Sequence, residues 1–136
     1  MSIKFTVPGE PKGKGRPRFS TAGKYPKAYT PKETAMYENL VKVIYMEGKF
    51  PKMNGAIRAR ISAYFQPPAS ASKKKRAAML IGEIQCTKKV DVDNISKIIM
   101  DALNGIAFDD DKQIVELEVV KRYGATAQVV VELTEI

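Results

Sequence analysis

Apolar and polar residues alternate from Ser2 to Val7, with Ile3, Phe5 and Val7 on one side, so the chain opens with a half-buried strand that stops at Pro8. The same period of two returns over 56–65, where Ile57, Ala59, Ile61, Ala63 and Phe65 face one way and Arg58 and Arg60 the other. This pattern predicts a central or near-central strand, ended by Pro67 and Pro68. Between the two strands, Thr30 before Pro31, with Glu33 following, marks a helix start with proline at its first position. Met36, Leu40, Val43 and Ile44 supply its apolar stripe, with Ala35 and Met46 adding to it, and the helix should end by Gly48.

After the second strand, SASKKKRAAML from Ser70 reads as a short capped helix. A third helix is predicted with Asp93 as its N-cap, running to about Asn104, with Gly105 as its stop. Ile95, Ile98, Ile99, Ala102 and Leu103 recur at three and four, so this helix packs on a sheet. QIVELEVVKRYG then reads as a strand whose first apolar residue is Ile114, and AQVVVELTEI as its hairpin partner across Gly124. The order strand, helix, strand, short helix, helix, strand, strand predicts an α/β (α+β) architecture. Residues 1–136 should form one domain, with a mixed sheet of about four strands and helices on one face.

Composition narrows the chemistry. The chain has no histidine, which removes catalytic triads, imidazole zinc sites and histidine bases together. Its lone cysteine, Cys86, excludes an internal disulfide and fits a reducing compartment. The opening MSIKFTVPGEPK lacks the apolar core of a signal peptide, so a cytoplasmic location is expected. Any catalysis must run on carboxylates, lysines and metal.

The net charge of +8 hides a division along the chain. Residues 1–90 carry 19 lysines and arginines against 5 acids, whereas residues 91–136 carry 4 against 10. A basic body with an acidic pocket suits a metal-dependent enzyme that acts on a polyanion. The basic part concentrates first in residues 11–32, PKGKGRPRFSTAGKYPKAYTPK, which hold seven bases, no acid, four prolines and three glycines. This segment reads as a long irregular loop. Its Lys12, Lys14, Arg16, Arg18 and Lys24, interleaved with Phe19, Tyr25 and Tyr29, are candidates for gripping phosphates and stacking on bases. Lys73, Lys74, Lys75 and Arg76, then Lys88 and Lys89, form a second basic stretch just ahead of the acidic one and are candidate DNA-backbone contacts.

All six aspartates fall within 88–115: Asp91, Asp93, Asp101, Asp109, Asp110 and Asp111. Asp91 and Asp93 flank Val92, and in an extended approach to a helix, residues two apart point the same way, so both could face one cation. The Asp109–Asp111 run can add one or two oxygens from a second element. Unneutralised carboxylates brought together repel one another, which favours a cation among them. A hard ion that keeps water and phosphate oxygens, magnesium, suits such a donor set, with manganese as its substitute. An EF-hand is excluded, because Ser96 and Ala102 stand where its glycine and glutamate belong. Lys97 could stabilise transition-state charge or position water, or pair with Asp93 or Asp101.

VDVDNISKIIMDALNG followed by FDDDKQIV resembles the core of the RusA family of Holliday junction resolvases, and GRPRF and KKKR ahead of it extend the likeness over most of the chain. The resemblance implies a homodimeric, magnesium-dependent endonuclease that cuts two strands symmetrically at a four-way DNA junction. It implies Asp91 and Asp93 as the first two catalytic carboxylates and Lys97 as the catalytic lysine. The third carboxylate should stand two before Gln113, at Asp111; the run has three aspartates where two are expected, so Asp110 is the alternative. Two readings compete. One is a flap or fork nuclease, and the other a non-catalytic DNA-binding regulator whose aspartates cap and pair. The host process, whether recombination, repair or phage DNA maturation, is left open.

Overall fold

The computed structural model describes residues 1–16, 18–20, 23 and 27–136, without the side chains of Arg18 and Tyr29. Both alternating segments form strands. β1 (Ser2–Pro8) buries Ile3, Phe5 and Val7, and β4 (Ile57–Phe65) buries every second residue from Ile57 to Phe65. The segment predicted as an irregular basic loop contains a small antiparallel ribbon, β2 (Arg18–Ser20) against β3 (Lys27–Tyr29), with Phe19 opposite Ala28. α1 (Lys32–Glu47), α2 (Lys73–Leu80) and α3 (Val92–Leu103) follow the predicted bounds closely, and β5 (Ile114–Tyr123) and β6 (Gln128–Glu135) close the chain. No helix among the described residues is long and apolar enough to cross a membrane.

The main sheet is mixed and four-stranded, in the order β1-β6-β4-β5, with β5 parallel to β4 and the other pairs antiparallel. The predicted hairpin of the last two strands is therefore wrong, because β4 lies between them. Side-chain character explains the exchange. β4 and β6 present Ile57, Ile61, Val129, Val131 and Leu133 to the core and are fully buried there, as interior strands require. β5 leaves Val115, Glu116, Leu117 and Glu118 exposed, which only an edge position tolerates. The link from β5 to β6 hooks over the end of β4: the Gly124 amide donates to the Phe65 carbonyl at 2.9 Å, and the Gln66 side-chain amide donates to the Ala125 carbonyl at 3.0 Å. A Cβ at Gly124 would lie 3.1 Å from the Tyr64 ring.

α1 and α3 cover one face of the sheet and share a single core with it. α3 buries the predicted Ile95, Ile98, Ile99, Ala102 and Leu103. α1 is turned from its predicted orientation. It buries Thr34, Tyr37, Val41 and Tyr45, while Met36, Leu40, Val43 and Met46 are exposed. The tyrosines decide this, because an aromatic ring carries more buriable area than an aliphatic side chain. Tyr45 packs edge-on against Phe5, with ring centroids 5.6 Å apart, and its hydroxyl donates to the Pro51 carbonyl at 2.8 Å. The opposite sheet face is polar and its charges are paired: Arg58 with Glu116, Arg60 with Glu118, and Lys4 with Glu132.

Candidate metal and nucleic-acid site

α3 carries two faces. One supplies the core; the other presents Asp93, Lys97, Met100 and Asp101, spaced at three and four so that they stack along one side of the helix. β5 runs alongside, and between them lies a groove of about 290 Å³. Ile114 and Leu117 of β5 form its apolar wall, and Asp111 lines it together with Asp93. An aspartate from α3 and one from the Asp109–Asp111 run thus meet in one groove, together with Lys97.

The three consecutive aspartates have three different jobs. Asp109 pairs with Lys52 at 2.7 Å. Asp110 caps a 3-10 turn formed by Asp111–Gln113: its carboxylate accepts from the Lys112 amide at 2.9 Å, and the Gln113 side-chain oxygen accepts from the Asp109 and Asp110 amides. The Lys112 amide, and after it a hydrogen bond with Asp111, holds the Asp110 carboxyl below its ordinary pKa. Asp110 is committed to the turn, and Asp111 faces the groove.

The entry to α3 departs from expectation. Val92 is already helical and the Ile95 amide donates to the Asp91 carbonyl at 3.1 Å, so Asp91, not Asp93, occupies the N-cap position. Asp93 sits in the first turn, where a carboxylate is favoured by the helix dipole. With Val92 in the helix, the strand-like alignment of Asp91 with Asp93 is lost. Asp91 is exposed, makes no side-chain cap bond, and lies outside the groove lining. Val90, just before it, has φ 104°, a region that β-branched residues rarely occupy and that costs on the order of 1–3 kcal/mol. Among the described residues no three His, Cys, Asp or Glu side chains stand close enough to hold a metal together. The donor chemistry still fits magnesium, which takes one or two carboxylates and fills its other positions with water and phosphate oxygens. Asp93 and Asp111 are the pair the groove offers.

Lys97 pairs with Asp101 one turn on, Nζ to Oδ1 at 3.1 Å. The other oxygen of Asp101 lies 3.2 Å from the Lys14 ammonium, which also meets Glu38 of α1 at 2.9 Å. Lys14, a candidate phosphate contact in the sequence, is thus paired with two carboxylates in this structure. Burial works against its charge, but Glu38 and Asp101 outweigh this and its pKa ends above the ordinary value. The Lys97–Asp101 pair is one of the two expected, whereas Glu38 and the contact of Asp101 with Lys14 leave no mark in the sequence, since nothing local identifies residues from three separate segments as partners.

The other candidate cations divide cleanly from those of the sheet face. Lys12, Arg16, Lys73, Lys74, Lys75 and Lys89 are exposed, Lys88 is half-exposed, and none makes an ion pair with a described residue. Arg76 donates to the Pro68 carbonyl at 3.2 Å. The expected cap of α2 is Ser72, whose hydroxyl accepts from the Lys75 amide at 3.2 Å, and no acid stands in the first turn. Three lysines at the positive end of a helix repel its dipole unless an anion lies over them. Phe19 on the β2–β3 ribbon is 72% exposed, an apolar ring held out to solvent. Lys24 and Tyr25, and the side chains of Arg18 and Tyr29, lie outside the described residues.

The family model for endodeoxyribonuclease RusA matches residues 8–134, nearly the whole chain. The chain belongs to the RusA endodeoxyribonuclease family. The RusA match takes in the basic ribbon, α2, the groove and the strand that closes it, so these parts occur together as one nuclease domain. An uncharacterized Bacillus subtilis (strain 168) protein, YqaN, is 34% identical over 138 residues, covering 98% of this chain and 96% of its own.

Proposed function

We propose that this RusA-family protein is a magnesium-dependent, structure-selective endodeoxyribonuclease that resolves four-way DNA junctions by paired symmetric cuts in recombination and repair. The observation that carries this reading is the groove itself, which Asp93, Asp111 and Lys97 line together, in a chain whose exposed candidate lysines pair with no carboxylate among the described residues. Asp93 and Asp111 would hold the ion. When bound, magnesium supplies Lewis acidity at the scissile phosphate and counter-charge for the leaving 3′ oxygen. Lys97, held by Asp101 at the groove, adds a positive charge for the equatorial phosphate oxygens as negative charge builds. Lys73–Lys75, Lys88 and Lys89 would track the backbone leading to the groove, and the ribbon carrying Phe19 would stack on bases opened at the branch. Asp91, exposed at the N-cap of α3 with no side-chain cap bond, would be the third donor.

Paired cuts require two grooves on opposite arms, which a two-fold dimer supplies. The exposed stripe of α1, Met36 at 61%, Leu40 at 37% and Val43 at 49%, supports a second copy packed against this helix. The protein is expected to run at twice its 15.1 kDa mass in multi-angle light scattering. Leu40→Lys should shift it to monomer at micromolar concentration and turn paired cuts into uncoupled nicks. A stable dimer in Leu40→Lys would place the interface elsewhere.

Cleavage of an end-labelled four-way junction, measured against linear duplex and a flap with magnesium, with manganese and with chelator, tests the function. Metal-dependent, symmetric nicks on the junction are expected. Preferential cutting of the flap would make this a flap nuclease, and tight binding without any cut would make it a binder.

A further inference from the structure

Lys14 is seated by α3, one wall of the groove, and by α1, which packs against α3. Its amide donates to the Asn94 carbonyl in the first turn of α3 at 2.9 Å, and the neighbouring Gly15 amide donates to the Thr34 hydroxyl in the first turn of α1 at 3.1 Å. The glycines on either side permit this approach: a Cβ at Gly13 would lie 3.0 Å from Asn94 Cβ, and one at Gly15 only 2.6 Å from the Thr34 hydroxyl oxygen. From this seat the ammonium reaches Glu38 and Asp101, which are 14% and 23% exposed, while Lys97 at the far end of the chain of charges is 60% exposed.

Asp101 needs this outside cation. It stands in the last turn of α3, where the helix dipole disfavours a carboxylate and no base within that turn offsets it. Its pairing with Lys97, with the lysine N-terminal to the acid, is the weaker of the two orientations on a helix. Alone, such an exposed pair would hold a flexible four-carbon stem poorly. We infer that Lys14 and Glu38 are positioning residues for Lys97: Glu38 fixes the Lys14 ammonium, Lys14 fixes Asp101, and Asp101 holds the Lys97 ammonium at the groove. The inference rests on the endonuclease reading for what Lys97 does, but not for where it is held. It also ties the root of the basic ribbon to the active groove, since Lys14 belongs to the segment that leads into β2.

The test compares wild-type protein with Lys14→Met, Glu38→Gln, Lys97→Met and the double variant Lys14→Met/Lys97→Met. In carbon-13 lysine-labelled protein, the two ε-methylene protons of Lys97, assigned by their loss in Lys97→Met, should be inequivalent. They should merge in Lys14→Met and move toward each other in Glu38→Gln. In junction cleavage, Lys14→Met should lower kcat about tenfold with KM changed less than about twofold, because a loosened group loses part of its effect on the transition state. Added to Lys97→Met, it should cost less than about twofold more. The salt dependence of junction binding should keep its slope, whereas loss of a phosphate contact lowers it by about one.

Unchanged Lys97 resonances in Lys14→Met overturn the inference, as do losses that multiply in the double variant or a reduced salt slope. If Lys14→Met does not fold, Glu38→Gln carries the same comparison with a smaller perturbation. A wild-type protein that cuts nothing overturns the endonuclease reading, and the resonance comparison alone then decides whether Lys14 places Lys97.

Discussion

Asp93→Asn is expected to lower junction cleavage about 10³-fold while leaving folding and junction binding intact. The size follows from the proposed role of Asp93 as a ligand: the ion would contribute several kcal/mol of charge stabilisation, and each ~1.4 kcal/mol is a factor of ten in rate. Intact folding follows from position. Asp93 is exposed and its side chain makes no cap bond, because the N-cap position belongs to Asp91. If the groove holds the scissile strand as proposed, removing a negative charge there should leave junction affinity equal or higher, so binding and cleavage separate. The check is single-turnover cleavage alongside a binding titration at one fixed salt concentration. Cleavage within about threefold of wild type would remove Asp93 from the mechanism.

Asp111→Asn should match Asp93→Asn, whereas Asp110→Asn should be nearly silent. Asn replaces Asp at a helix N-cap with little cost, because its side-chain oxygen still accepts the amide that Asp110 now accepts from Lys112. The contrast distinguishes the carboxylate at the groove from its neighbour in the cap. Equal losses in Asp110→Asn and Asp111→Asn would mean that the whole turn binds the ion.

How far the sequence could be read tracks how local each determinant is. β1, β4 and the core face of α3 were legible because each repeats a simple period against a single buried side. The strand order was not. A four-residue link after a strand ordinarily signals a hairpin, and only the edge tolerance of Glu116 and Glu118, met by Arg58 and Arg60, frees β4 to come between. The face of α1 was misread because aliphatic spacing was counted and Tyr37 and Tyr45 were not, although both are buried. In the site, Asp93, Lys97 and Asp111 were legible as members of one acidic stretch. The extended approach expected for Asp91 and Asp93 differs by one residue of helix boundary, since Val92 is already helical and Asp91 takes the N-cap position. The capping of the 3-10 turn by Asp110 depends on the Gln113 capping box, and the Lys14–Glu38–Asp101 contacts on tertiary packing, neither of which residue spacing carries.

Phe108→Ala is expected to cost about 3–5 kcal/mol of stability, the range for emptying a filled aromatic site in a core. Phe108 is fully buried in the turn that joins α3 to the aspartate run. Around it the chain is tightly tied: the Gly105 amide donates to the Phe108 carbonyl at 2.8 Å, and the Met53 amide donates to the Ala107 carbonyl at 2.7 Å. Gly105 takes φ 82° just past the end of α3, the left-handed turn that sends Phe108 back into the core. Asp109, Asp110 and Asp111 follow directly, so the ring that anchors this turn also fixes where Asp111 meets the groove. Against a total stability of roughly 5–15 kcal/mol, the loss is a large share, and urea unfolding should show a lower midpoint with an unchanged slope. Phe108→Leu, which keeps most of the apolar volume, should lose only about 1–2 kcal/mol. At a temperature where Phe108→Ala stays folded, cleavage should fall more than junction binding does, because Asp111 loses its fixed seat while Lys73–Lys75 on α2 keep theirs. A cost below about 1 kcal/mol would mean the turn is held by its backbone bonds alone, and the placement of Asp111 would then be independent of the core.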